Sequence, residues 1–239
     1  MNKVFEFKQK NAKTKNLDTK GTLKFNSAGE NRAELCFYGD IVSDSWEAYW
    51  YEEDKCPQDI SDFLAGLDEY AELDIYINSG GGSVYGGLAI YNILKRYQGK
   101  KTVYIDGLAA SIASVIAFAG DKVIMPENAQ LMIHKPWCYA EGDAEMLRKS
   151  AEVLDVCQES IISVYAEHAK VTKEEIVELV NAETWLTGKR AAEIFNVEVE
   201  VPAEPENRRP ERLAKRAEKP KDDTNKLKLL QAELNLLGL

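Results

Sequence analysis

At 239 residues and 45% hydrophobic, the chain can bury one sizeable core and leave tails over. Its net charge of −10 argues against nonspecific binding of nucleic acid by the body of the protein. Four cysteines (Cys36, Cys56, Cys138, Cys157) lack CxxC spacing, and two histidines, His134 and His168, are too few to draw a metal site, so neither a metal nor a cofactor is expected.

The first eight residues are too charged for a signal peptide, and no apolar run approaches the roughly 18 residues of a membrane span. The chain therefore reads as a cytoplasmic protein without a membrane partner. Residues 1–30 are polar and rich in Lys and Asn, and read as a loosely held arm with an edge strand near Thr22–Phe25. Ala33 to Ile41 reads as the first secure strand, stopped at Gly39-Asp40. An aromatic cluster, Trp46 to Tyr51, follows, and then Pro57 leads into a helix over Ile60–Tyr70 with Phe63, Leu64 and Leu67 on one face.

The next elements alternate. A strand over Leu73–Asn78 ends at Ser79-Gly80-Gly81-Gly82-Ser83, and a helix runs from about Val84 to Tyr97. Lys101–Ile105 is a strand, Gly107–Ala110 a small-residue turn, and Ile112–Ala119 an apolar helical segment. Strands over Lys122–Met125 and Gln130–His134 come next. Short connections between alternating strands and helices predict right-handed βαβ units around a mostly parallel sheet, an α/β fold. From Asp143, a plausible N-cap, to about Lys170 runs one long helix, with Leu147, Ala151, Leu154, Ile161 and Tyr165 at helical spacing. Thr172 and Glu175 form a capping box for a helix over Lys173–Val180. A short helix, Gly188–Phe195, and a last strand, Val197–Val201, close the body.

Composition changes after Pro202. Residues 203–226 form a Pro-containing linker with a basic cluster that includes Arg208, Arg209, Arg212 and Arg216. The last stretch, 227–239, is amphipathic, with Leu229, Leu230, Leu234 and Leu237 able to share a face. It reads either as a helix folded back on the body or as a docking helix for a partner or a neighbouring subunit. The domain boundaries read from the sequence are thus 1–30, 31–202, 203–226 and 227–239.

Three stretches carry chemistry. Ser79–Ser83 lies where a strand hands over to a helix, the place where ligands bind in open α/β sheets. Consecutive glycines let backbone N–H groups face a cleft unobstructed, yet the stretch lacks the frame of a phosphate loop and fits a tight turn or an oxyanion hole equally. Ser111 stands at another strand–helix junction, where it is either a helix cap or a nucleophile. His134 ends a strand beside Pro136, at what would be the same rim of the sheet. Ser114, a turn beyond Ser111, reads as packing. His168, near the C-terminus of the long helix where a cation is favoured, reads as structural.

Together these residues resemble a family. Asn78–Gly82, Gly107–Ser111 and Met132–Pro136 are similar to the three signature stretches of Clp peptidases, in the same order, over roughly residues 33–200. Among them the chain is most similar to the Clp-peptidase-like head maturation (prohead) proteases of tailed phages and prophages. Those typically read INSGGG, YxDGLAAS, AGDKVIMP and ETWLT, and this chain has Ile77–Gly82, Tyr104–Ser111, Ala119–Pro126 and Glu183–Thr187. The resemblance implies a crotonase-like ββα spiral with the long helix as a protruding handle, and a homo-oligomeric ring. It implies Ser111 as nucleophile, His134 as general base, and Glu183 where Clp peptidases carry aspartate, with Asn181 as the fallback. It implies backbone N–H groups of Gly81 and Ile112 as the oxyanion hole.

The function implied is a serine endopeptidase that cleaves capsid and scaffold proteins, in the host cytoplasm or inside an assembling phage head. The alternatives are a housekeeping Clp peptidase working with an unfolding ATPase, a crotonase-type enzyme acting on an acyl-CoA, and an inactive assembly protein. The Ser111/His134/Glu183 set argues against the acyl-CoA reading, which needs no activated serine.

Overall fold

The computed structural model describes residues 3–10, 17–25, 32–44, 54–67 and 71–200. The aromatic cluster at 46–51, the basic linker and the amphipathic tail lie outside these residues. The chain divides into a unit of residues 1–201 and one of residues 202–239, and every described residue belongs to the first.

Two antiparallel strands, β1 (Lys3–Lys10) and β2 (Leu17–Phe25), pair with each other, so the edge strand read at Thr22–Phe25 is the end of a longer ladder. The main sheet has seven strands: β3 (Arg32–Phe37), β4 (Glu72–Ser79), β5 (Lys101–Ala110), β6 (Lys122–Pro126), β7 (Gln130–Ile133), β8 (Thr184–Thr187) and β9 (Glu198–Glu200). Its spatial order is β3-β4-β5-β6-β9, with β7 beside the far end of β5 and β8 beside β7. Every pairing is parallel except β7 with β8. This is the mixed α/β architecture with a mostly parallel sheet that the alternating pattern predicts.

β4 and β5 alternate, with Ile75, Ile77, Val103 and Ile105 wholly enclosed on one face and the half-buried rings of Tyr76 and Tyr104 stacked on the other. They pack under α2 (Val84–Arg96), which contributes Ile90 and Leu94, and against α3 (Ile112–Ala117), whose residues are all buried. A helix apolar on all sides belongs inside a core. The first helix, α1 (Pro57–Ala65), starts earlier than its apolar face suggests. Pro57 takes the first helical position, and Asp59 accepts from the Cys56 N–H at 3.0 Å.

The largest departure from the sequence reading is β5. The small-residue stretch Gly107–Ala110 is strand, not turn. Up to Ile105 the register with β4 is regular; then it shifts, so that Ser79 faces Ala109. Beyond the shift β5 leaves β6 and pairs with β7 through Leu108, Ala109 and Ala110. Small side chains make this change of partner feasible, because a bulge needs room on both faces. The consequence is functional: the ends of β5 and β7 lie side by side.

Three further helices complete the unit: α4 (Ala144–His168), α5 (Lys173–Asn181) and α6 (Gly188–Ile194). Asp143 caps α4, accepting from Glu145 and Met146 N–H at 3.0 Å each, and the Thr172/Glu175 capping box of α5 forms as read. The apolar face of α4 divides by length. Its second half buries Cys157, Ile161, Ile162, Val164 and Tyr165, whereas its first half leaves Met146, Leu147, Val153 and Val156 exposed. No helix among the described residues is long and apolar enough to cross a membrane.

Candidate active site

The end of β5 delivers Ser111, and the backbone there is unusual. Ser111 has φ 54° and ψ −129°, a left-handed conformation that costs a non-glycine residue on the order of 1–3 kcal/mol. The ladder holds it, since the Ser111 N–H donates to the Met132 carbonyl of β7 at 2.9 Å. The side chain makes no capping hydrogen bond to α3, so the alternative of Ser111 as a simple helix cap is not what the structure has.

Instead the Ser111 hydroxyl meets an imidazole. His134, the first residue beyond β7, places Nε2 2.8 Å from Ser111 Oγ. The pairing of β5 with β7 explains the contact: Ala110 faces Met132, so the residues that follow each strand end meet at the rim. A serine hydroxyl is a weak nucleophile until a neighbouring base takes its proton, and an imidazole within hydrogen-bond reach is the usual base.

The glycine turn closes over the same serine. Gly81 has φ 102°, and a Cβ built there would lie 2.7 Å from Ser111 Cβ and 2.8 Å from the Ala110 carbonyl, closer than real contacts allow. The same point is 3.2 Å from Ile112 N. Only glycine fits, and its absent side chain is what lets the two peptide units adjoin. Ile112 is the first residue of α3, so its N–H has no carbonyl within the helix to bond. The Gly81 N–H is directed at Ser79 Oγ, 3.2 Å away. The turn is pinned from the other side by Ile41, which donates to the Gly81 carbonyl at 2.8 Å and accepts from the Ser83 N–H at 2.7 Å.

The third residue of the expected set is placed differently. The antiparallel register of β7 and β8 pairs Ile133 with Thr184, which brings Glu183 across from His134. Glu183 also has a positive φ, 50°. Its carboxylate, however, accepts from Trp185 Nε1 at 3.4 Å, while the His134 ring is hydrogen-bonded to Ser111. Asn181, the fallback, is exposed at the end of α5 and accepts from Gln158 Nε2 at 3.2 Å.

Two sequence readings gain detail. Ser114 is packed and wholly buried, as read, but it also donates to the Ser111 carbonyl at 2.6 Å and shares a 2.8 Å hydrogen bond with the Tyr165 hydroxyl. A lone hydroxyl inside the apolar run Ile112–Ala119 was the available signal, because buried polar groups are partnered. Its partner is 51 residues away on α4, which local periodicity does not reveal. His168 is structural, but not as a cation. Its ring stacks on Phe118 at 5.2 Å, and burial holds its pKa below the ordinary histidine value, outweighing the neighbouring Glu167 carboxylate.

Beside Ser111 and His134 the surface opens into an apolar groove. It is lined by the start of α2 (Val84, Tyr85), the segment after His134 (Pro136, Trp137, Cys138) and one side of α4 (Val153, Leu154, Cys157). Trp137 and Tyr139 pack edge to face at 5.3 Å and are largely exposed. Among the described residues, no group of His, Cys, Asp and Glu is arranged to hold a metal ion.

A strained serine at a strand end, bonded to a histidine and overhung by a glycine turn, is a serine–histidine constellation on a parallel α/β scaffold. The sequence model of the Clp protease family matches residues 53–195, and the chain belongs to that family. Its sheet and helices are consistent with the ClpP-like fold. Similar relatives are the ATP-dependent Clp protease proteolytic subunits of two Bacteroides fragilis strains, ATCC 25285 and YCH46. Each is 31% identical over 134 residues, which are 55% of this chain and 64% and 60% of those proteins. The subunit of the same name from Bacteroides thetaiotaomicron is 29% identical over 134 residues, 60% of its length. The matched segment thus spans about three fifths of these relatives.

Proposed function

We propose that the chain is a serine endopeptidase in which Ser111 attacks the scissile carbonyl and His134 takes its proton, later returning it to the leaving amine. The observation that carries this reading is the 2.8 Å contact between Ser111 Oγ and His134 Nε2. The N–H groups of Gly81 and Ile112 serve the oxyanion. Gly81 does so by exchanging its long hydrogen bond to Ser79 for the shorter, charge-assisted one that an oxyanion offers. Glu183 supports the imidazole once its side chain swings from Trp185 towards the ring it faces across β7 and β8. A peptide in extended form suits the apolar groove, whose walls are α2, the Pro136–Cys138 segment and α4.

The substrates in this proposal are phage capsid and scaffold proteins, supported by the INSGGG, DGLAAS and ETWLT-type segments. The working form is a homo-oligomeric ring with α4 as its handle, to which the exposed apolar residues on the first half of α4 lend support. A second reading, in which an ATP-driven unfolding partner feeds the ring, is favoured by the names of the Bacteroides relatives.

Co-expression with capsid and scaffold proteins, wild type against Ser111→Ala, followed by intact mass, separates these readings. Cleavage that disappears in the variant supports the maturation reading. Degradation of unfolded substrates only when an unfolding ATPase is added supports the second, and equal products in both samples contradict a serine peptidase.

A further inference from the structure

Beneath the nucleophile lies a hydroxyl chain that the serine–histidine chemistry does not use. Ser114 is wholly buried and Tyr165 nearly so. Ser114 Oγ lies 2.6 Å from the Ser111 carbonyl oxygen, to which it donates. A hydroxyl has one proton, so in the 2.8 Å contact between Ser114 Oγ and Tyr165 Oη the phenol is the donor. Tyr165 Oη also stands 3.4 Å from the Ser111 carbonyl oxygen. The order is therefore Tyr165 O–H to Ser114 O–H to Ser111 C=O, and such a chain polarises in one direction.

The tyrosine is held for this task. Its ring packs against Phe118, with centroids 6.1 Å apart, and against Phe195 at 6.0 Å. Burial raises its pKa well above the ordinary phenol value, so it keeps the proton it donates. In return the Ser111 carbonyl is anchored by Ser114 Oγ and also accepts from the Ser114 N–H at 3.1 Å.

The carbonyl so anchored belongs to the same peptide unit as the Ile112 N–H. The peptide is trans, and in a trans peptide C=O and N–H point in opposite directions. Fixing the oxygen below fixes the direction of the N–H above, and drawing electron density toward the oxygen makes that N–H a better donor. Left-handed strain at Ser111 means the chain does not hold this orientation unaided.

We infer that Ser114 and Tyr165 are positioning residues, a buried hydroxyl relay that aims and polarises the Ser111–Ile112 peptide so that the Ile112 N–H stabilises the oxyanion. This rests on the serine-peptidase reading. Tyr165 lines the small cavity that Ser111 and His134 share, but it is almost wholly buried and neither hydroxyl handles the proton of Ser111, so the relay acts on the transition state more than on substrate binding or on His134.

The test compares wild type, Tyr165→Phe, Ser114→Ala, the double variant and Ser111→Ala as full-length chains on one fluorogenic peptide. A peptide aldehyde, which forms a tetrahedral adduct bearing an oxyanion, is titrated in parallel. Each single variant should lower kcat by about tenfold and leave KM within twofold. The aldehyde should bind weaker by the same factor, with the acid limb of the pH profile unmoved. The double variant should cost little more than either single one, because the two hydroxyls act as one chain. Folded variants with wild-type kcat and aldehyde binding would overturn the relay. So would a fall in kcat without weaker aldehyde binding, or one with an equal change in KM and a shifted acid limb, since both indicate general loosening. Tyr165→Phe removes one oxygen and Ser114→Ala another, so a folding failure of one leaves the other as the test. A wild type that neither cleaves peptide nor differs from Ser111→Ala would instead overturn the peptidase reading, and the relay with it.

Discussion

The two histidines make the most instructive comparison in the molecule. His134 ends a strand at the open rim of the sheet, where its ring nitrogen meets a hydroxyl. His168 ends a long helix, lies flat on Phe118, and has a buried ring Nε2 with no hydrogen-bond partner among the described residues. Identical side chains thus serve opposite ends because their surroundings differ. One environment leaves a nitrogen facing a serine hydroxyl, and the other removes water and presses the ring toward its neutral, apolar form. Chain position hinted at this for His134, next to Pro136 after a β run. It misled for His168, where a helix C-terminus suggests a cation and burial decides against it.

The contrast breaks most sharply by removing each ring in turn. His134→Ala should lower peptide hydrolysis by about 10⁴-fold or more, as should Ser111→Ala, measured as kcat/KM on a fluorogenic peptide. His168→Phe should leave that value within a few fold. Equal losses from the two histidine variants would abolish the distinction.

Smaller effects sharpen the picture around His134. Gly81→Ala sets a methyl against Ser111 Cβ and forces a left-handed residue to carry a side chain, so activity should fall by about 10²–10³-fold. The melting temperature should fall too, since the strain remains in the resting protein. Glu183→Gln should cost about 10–10³-fold, less than either Ser111 or His134, because its carboxylate rests on Trp185. Asn181→Ala should cost nothing measurable in kcat/KM. Reversal of the Glu183 and Asn181 results would assign the third position to Asn181.

The smallest effect is on stability, and it belongs to His168. Its folded pKa lies below the unfolded value of 6.5, so the unfolded chain binds the proton more readily. The stability this ring contributes is complete above pH 6.5 and is lost as the pH falls through and below it. Urea denaturation at pH 7.5 and 5.5 should show a smaller acid loss in His168→Phe than in wild type. An identical pH dependence in both would remove the assigned cause.

Much of this was legible in the residues. Alternating apolar runs gave the parallel α/β class, and the Thr172–Glu175 spacing gave its capping box. Ser111 and His134 stood out because each ends a β-rich run beside small or rigid residues. What stayed hidden depends on pairing over distance. Gly107–Ala110 looks like a turn on its own and becomes strand only because β4 and β7 flank it. Tyr165 looks like an ordinary apolar position of α4 until Ser114 is brought beneath it. The long helix offered apolar residues at helical spacing along its whole length. Its buried second half and exposed first half follow from which turns reach the core, and spacing alone does not encode that.

The most direct test of the central claim is labelling with diisopropyl fluorophosphate, read by intact mass and peptide mapping. One adduct per chain is expected, on Ser111, absent in Ser111→Ala, strongly slowed in His134→Ala and unchanged in His168→Phe. An adduct on another residue, or labelling at wild-type rate without His134, would contradict the claim.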